Sequence, residues 1–144
     1  MREIPYPVYL DKVYGGWLGK CIGGTVGAVS EGVKELMDFS LETAFPEKIP
    51  PNDDLDLQIL WLHVLEKAGP ELTGVDLLRA FIDCCPYKAN EYSVAKRNLL
   101  LGIRPPVSGL HNNQFWDTGM GCPIRSEIWA YVNPGNPALV PIQA

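Results

Sequence analysis

The chain is 144 residues long, with 47% hydrophobic and 20% charged residues. That is enough apolar material for one globular domain and too little charge for a disordered chain. Its net charge is −5 and its 12 Lys and Arg are scattered, with Lys96-Arg97 the one adjacent pair. A nucleic-acid partner, which demands clustered cations, is therefore not expected. Cysteines at 21, 84, 85 and 122 form neither a CxxC nor a zinc spacing, and adjacent cysteines bridge only with strain. They read as buried free thiols of a cytoplasmic protein. Residues 1–7, Met1-Arg2-Glu3-Ile4-Pro5-Tyr6-Pro7, lack the charged and apolar segments of a signal peptide.

In chain order, the first expected helix runs from Tyr9 to Val29. Its apolar run, Val13 to Ser30, is interrupted by Lys20. It is short and glycine-rich for a membrane span and reads as a tightly packed core helix. Gly15, Gly19, Gly23 and Gly27 fall four apart, on one helix face. Glycine in a helix costs about 1 kcal/mol relative to Ala. Such a row therefore predicts close approach by a neighbouring helix or a ligand.

A second helix begins near Asp53 and stops at Gly69-Pro70. Its apolar residues take up most of its circumference, so it is expected at the centre of the domain, with His63 a core residue. Thr73 to Asp76 resembles a capping box with Asp in the usual Glu position, opening a third helix through Cys85 that Pro86 ends. A fourth helix spans Asn90 to Leu101, before Gly102 and Pro105-Pro106. Residues 102–122 read as a long loop carrying His111, Phe115 and Trp116, of the kind that often holds function. A fifth helix, Pro123 to Val132, has Pro in its first turn. Asn133-Pro134-Gly135-Asn136-Pro137 terminates it, and Ala138 to Ala144 read as the opening of another helix. No segment shows strand alternation. The expected fold is all-α.

The strongest candidate for chemistry is Asn52-Asp53-Asp54-Leu55-Asp56. Carboxylates packed this closely repel one another unless a cation or a helix N-terminus offsets them. Asn52 or Asp53 as an N-cap accounts for one residue, not three. An all-oxygen set suits Mg²⁺ or another hard cation rather than zinc. On residues alone, metal binding and capping with solvated charge stand level.

Several segments then combine. Asp11-Lys12-Val13-Tyr14-Gly15-Gly16-Trp17-Leu18-Gly19-Lys20-Cys21-Ile22-Gly23-Gly24-Thr25-Val26-Gly27-Ala28-Val29-Ser30-Glu31 resembles the Gly-rich opening helix of the ADP-ribosylglycohydrolase family. Asn52-Asp53-Asp54 falls where that family carries Thr-Asp-Asp. Gly119-Met120-Gly121-Cys122-Pro123-Ile124-Arg125 is similar to its Gly-Asn-Gly-x-Ala-Met-Arg loop, and Asn133-Pro134-Gly135-Asn136-Pro137 to the Pro-Gly-Asp/Asn-Pro segment that follows. Order and spacing agree over residues 11–137.

The resemblance implies a compact orthogonal helical domain and a Mg²⁺-dependent (or Mn²⁺-dependent) hydrolase with a dinuclear centre. Its reaction would cleave the N- or O-glycosidic bond of ADP-ribosylated protein or of a small ADP-ribose derivative. Asn52, Asp53 and Asp54 would hold one side of the metal pair, and Glu31 would position or deprotonate the attacking water. Gly119 and Gly121 would let backbone N–H groups approach the pyrophosphate. Arg125 is expected as an ion-pair partner, and Phe115 and Trp116 either pack or stack on an adenine.

Three positions depart from the pattern: Gly24 stands for an Asp, Asn52 for Thr and Met120 for Asn. The family also completes its metal site with an Asp-x-Asp-Thr/Ser segment near the end of a longer domain. After Asp56 this chain has only the isolated Asp76, Asp83 and Asp117. Residues 1–144 are thus expected to be the N-terminal part of one such domain, truncated, with half of a two-metal site. Uncovered apolar faces would favour a homo-oligomer. The alternatives are a non-catalytic ADP-ribose-binding or structural member of the family, and an interaction module built on the glycine helix.

Overall fold

The computed structural model describes residues 3–38 and 40–136. Pro137 and the helix expected to open at Ala138 lie outside the described residues. Among the described residues seven α-helices follow in order: α1 Tyr6–Ala28, α2 Leu41–Ala44, α3 Asp53–Ala68, α4 Gly74–Cys84, α5 Asn90–Leu100, α6 Val107–Leu110 and α7 Glu127–Tyr131. Two 3₁₀ turns, Gly69–Glu71 and Pro123–Arg125, precede α4 and α7. No strand occurs among the described residues. The fold is all-α.

Local chemistry sets most of these boundaries. α1 starts three residues earlier than expected because Pro7 fits a helix's first turn, where its missing N–H costs nothing. Asn52 caps α3, its Oδ1 accepting the backbone N–H of Asp54 at 3.0 Å. Gly69, at φ +73°, ends α3 in the left-handed region that glycine enters without strain. At the start of α4, Asp76 Oδ2 accepts the Thr73 backbone N–H at 2.9 Å and its hydroxyl at 2.7 Å. The helix expected over 123–132 is split, because Pro123 opens a 3₁₀ turn that closes at Ser126 before α7 begins. The loop over 102–122 contains α6, and two short helices, α2 and α6, have no apolar period long enough to be read from sequence.

α3 is the hub, touching α1, α4, α7 and both 3₁₀ turns. Its Leu57 packs with Cys85 and Tyr92, flanked by Leu60, Phe81 and Tyr87. Yet α3 is not buried all round. Leu57, Gln58 and Val64 are buried, whereas Ile59 is exposed and so is His63, contrary to its expected core position. The cysteines differ as well: Cys85 is buried, but Cys21, Cys84 and Cys122 are exposed, and all four are free thiols.

The largest difference concerns α1. It is not a tightly packed core helix; Thr25 is its one buried residue among those described. The row that faces the protein is Gly16, Lys20 and Gly24. A Cβ on Gly16 would strike the Tyr131 ring, and one on Gly24 would strike Asn52 Nδ2. Lys20 Nζ donates to Ile124 O and Glu127 Oε1, at 2.5 and 2.7 Å. Tyr9 donates to Tyr131 O at 2.9 Å. Gly15, Gly19, Gly23 and Gly27 instead have nothing within 4 Å of where a Cβ would stand. The expected close approach falls on the neighbouring row. No helix among the described residues is long and apolar enough to cross a membrane.

Candidate functional site

One open cleft of about 690 Å³ lies where the first turn of α3, the start of α5, the 109–122 loop and α7 converge. Its lining includes Glu31, Asp53, Asp54, Trp116, Gly119, Gly121 and Arg125. Five of the six sequence-derived site residues, from three distant segments, thus share one cleft. The sixth, Asn52, is not in its lining; it caps α3 and packs its amide against Gly24. That contact links two positions at which the sequence differs from the pattern it resembles. The Asn52 side chain fills space that any side chain at position 24 would need, so Gly24 and Asn52 are steric complements.

The three aspartates of α3 have three fates. Asp53 accepts a short hydrogen bond through Oδ2 from the Tyr92 phenol. Asp56 is exposed outside the cleft and accepts from the Tyr87 phenol at 2.6 Å. Asp54 lines the cleft and accepts no side-chain hydrogen bond among the described residues. Burial pushes the Asp54 carboxyl above its ordinary value and the Asp53 charge adds to this, while Lys20 pulls the other way. The same burial, with the bond to Asp53, holds the Tyr92 proton on well past the usual phenol range. Tyr87 shifts the same way, through burial and then its bond to Asp56.

Tyr92 is a site residue that no local sequence pattern marks. Its signal is its place on α5, where buried aromatic packing carries a phenol tip to an acid 39 residues away. Arg125 lies 4.8 Å over the Tyr92 ring and pairs with Glu91 at 3.4 Å, as an ion-pair partner should, while also lining the cleft. A Cβ on Gly121 would meet the side-chain ends of Arg125 at 2.7 Å and of Glu91 at 3.0 Å, so a side chain here would have to displace that ion pair. Gly119 packs against Trp116 O.

The loop is fixed from behind. Asn98, fully buried, donates through Nδ2 to the carbonyls of Ser108 and His111 at 2.8 and 2.7 Å. Asn113 Nδ2 donates to Gly109 O at 2.6 Å. Trp116 lines the cleft, whereas Phe115 is exposed and meets Trp116 edge-on at 4.7 Å. His111 is exposed, with its ring beside Asn112. A second cavity of about 750 Å³, lined mainly by apolar side chains of α3, α4 and α5, shares Trp61, Leu77, Glu91, Tyr92 and Arg125 with the cleft.

The donor set bears on a metal. Two adjacent carboxylates, Asp53 and Asp54, suit one hydrated Mg²⁺, an ion that commonly takes one or two protein carboxylates and fills its shell with water and substrate oxygens. Among the described residues no group of three or more His, Cys, Asp or Glu is placed to hold an ion. Compared with known protein families, curated proteins and solved structures, the chain finds no match.

Proposed function

We propose that the cleft binds the ADP-ribosyl group and that the chain belongs with Mg²⁺-dependent hydrolases of ADP-ribosyl glycosidic bonds, in a helical domain of the ADP-ribosylglycohydrolase type. One observation carries this reading: Glu31, Asp53, Asp54, Gly119 and Gly121, apart in sequence, line the same cleft. In it, Glu31 accepts the proton of an attacking water. Asp53, oriented by Tyr92, and Asp54 face the ribose side. Beside Gly119, whose own N–H is held by Trp116 O at 3.0 Å, the Gly121 backbone N–H is presented to the diphosphate. Trp116 offers its ring to the adenine. A bound Mg²⁺ would polarise the ribose hydroxyls and lower the pKa of the water.

A second reading is a binding protein without turnover, favoured by the small donor set around Asp53 and Asp54. Calorimetric titration with ADP-ribose, with and without Mg²⁺, paired with an assay of ADP-ribose release from ADP-ribosylated peptide, separates the two. Binding with release, both lost in Asp54→Asn, supports the hydrolase. Binding without release supports the second reading. No heat of binding up to about 1 mM ADP-ribose, a threshold near −4 kcal/mol, sinks both.

A further inference from the structure

The second cavity, of about 750 Å³, shares with the cleft a wall made by Trp61, Leu77, Glu91, Tyr92 and Arg125. Tyr92 fixes which end of the cleft that wall belongs to. Its phenol donates to Asp53 Oδ2, on the ribose side of the proposed complex. Its ring stacks on Phe81 at 6.4 Å, and Phe81 lines the second cavity but not the cleft. Trp116, offered to the adenine, lines the cleft but not the second cavity. Of the two ends of an ADP-ribosyl group, the ribose end therefore abuts the shared wall.

The cavity beyond Tyr92 has a chemistry of its own. Leu78, Phe81, Ala95 and Leu99, half-buried on α4 and α5, give it an apolar surface beside the Trp61 ring. Its charged side chains are Glu71, Glu91 and Arg125. Arg125 pairs with Glu91 at 3.4 Å, which leaves Glu71 uncompensated within the lining. An anion would be repelled there. The hydrated side chain of an ADP-ribosylated peptide would lose its water to an apolar surface. A flat aromatic ring suits both features: it packs on aromatic and aliphatic side chains, and a positive charge on it answers the acid excess.

We propose that the second cavity seats an aromatic base carried on the anomeric carbon of the ribose. The substrate class is then a small ADP-ribosyl compound with an N-linked aromatic ring, preferred over an ADP-ribosylated peptide. This rests on the cleft taking ADP-ribose. The cleft holds what all ADP-ribosyl ligands share, and the cavity behind Tyr92 selects among the groups in which they differ.

Calorimetric titration of the full chain with ADP-ribose and with carbocyclic NAD⁺ tests this. In the second ligand a methylene replaces the ring oxygen of the nicotinamide ribose, so the pyridinium ring stays attached. It should bind about tenfold more tightly than ADP-ribose, the gain expected of one well-packed aromatic contact. Ala95→Phe, which fills the second cavity, and Leu78→Lys, which sets a cation in its wall, should each remove that advantage and leave ADP-ribose affinity unchanged. Retained ADP-ribose binding is the check that each variant is folded. Equal affinities in the wild type, or an advantage that survives in either folded variant, overturn the aromatic site while ADP-ribose binding still upholds the cleft. Failure of the wild type to bind ADP-ribose overturns the cleft reading, and the aromatic site with it.

Discussion

Helices α3 and α4 both open with acidic residues, and the contrast between them separates a structural acid from an available one. At α4, Asp76 turns back on its own helix start and accepts both the N–H and the hydroxyl of Thr73. At α3, Asn52 has already done the capping, so Asp53, Asp54 and Asp56 turn elsewhere. Two are taken by tyrosines carried on or just before α5, and the third faces the cleft. An acid at a helix start becomes available for chemistry when another residue satisfies the helix.

The largest expected effect tests whether Tyr92 really engages Asp53. Tyr92 is buried, and a hydrogen bond to a charged group contributes about 1.5–3 kcal/mol. Asp53 is only half-buried, so Tyr92→Phe should cost about 1.5 kcal/mol, the lower end of that range. Urea unfolding should show a lower midpoint with an unchanged slope. An unaltered midpoint would mean that Asp53 is as free as Asp54, and the contrast among the three acids would fail.

Next in size is the cap itself. Asn52→Ala should cost about 1 kcal/mol. It also vacates the space beside Gly24, where a methyl group would meet only Asn52 atoms at close range. Gly24→Ala should therefore change sign with its background. In the wild type the methyl displaces the capping amide and offsets the helix gain. In Asn52→Ala it should stabilise by about 1 kcal/mol, the ordinary advantage of Ala over Gly. A double-mutant cycle measures this coupling. Additive effects would show that the cap and the glycine are independent.

How far the sequence carries follows from these same residues. The long helices are legible because α3 and α4 have caps, periodic apolar residues and glycine or proline stops. The cleft is legible through Glu31, Asp53, Asp54, Gly119 and Gly121. Asn52 is ambiguous, since an Asn before a helix reads equally as ligand and as cap, and the fold shows it as the cap. Tyr87 and Tyr92 escape a sequence reading because their phenols act across tertiary contacts that no local pattern encodes. The orientation of α1 escapes it for a related reason: the residues that choose its inner row, Tyr131, Glu127 and Asn52, lie on other elements.

The smallest effects give the most pointed test, because they should be opposite in sign. Asp76 is held below the ordinary carboxylate value by the Thr73 hydroxyl and then by the Thr73 N–H. The unfolded chain therefore takes up this proton first as the pH falls. The stability Asp76 supplies is complete above its unfolded value of about 4 and disappears as pH falls through the lower folded value. Asp54 is shifted upward by burial and then by Asp53, so the folded chain takes up that proton first. Its charge is a liability above the raised value that vanishes below about pH 4. Thermal unfolding at pH 7 should thus find Asp76→Asn less stable than wild type and Asp54→Asn more stable. Both differences should shrink as the pH falls, that of Asp54 first and that of Asp76 only as the pH passes below its lowered folded value. If Asp54→Asn instead destabilises at pH 7, its charge is already compensated within the fold, and the acid facing the cleft is structural after all.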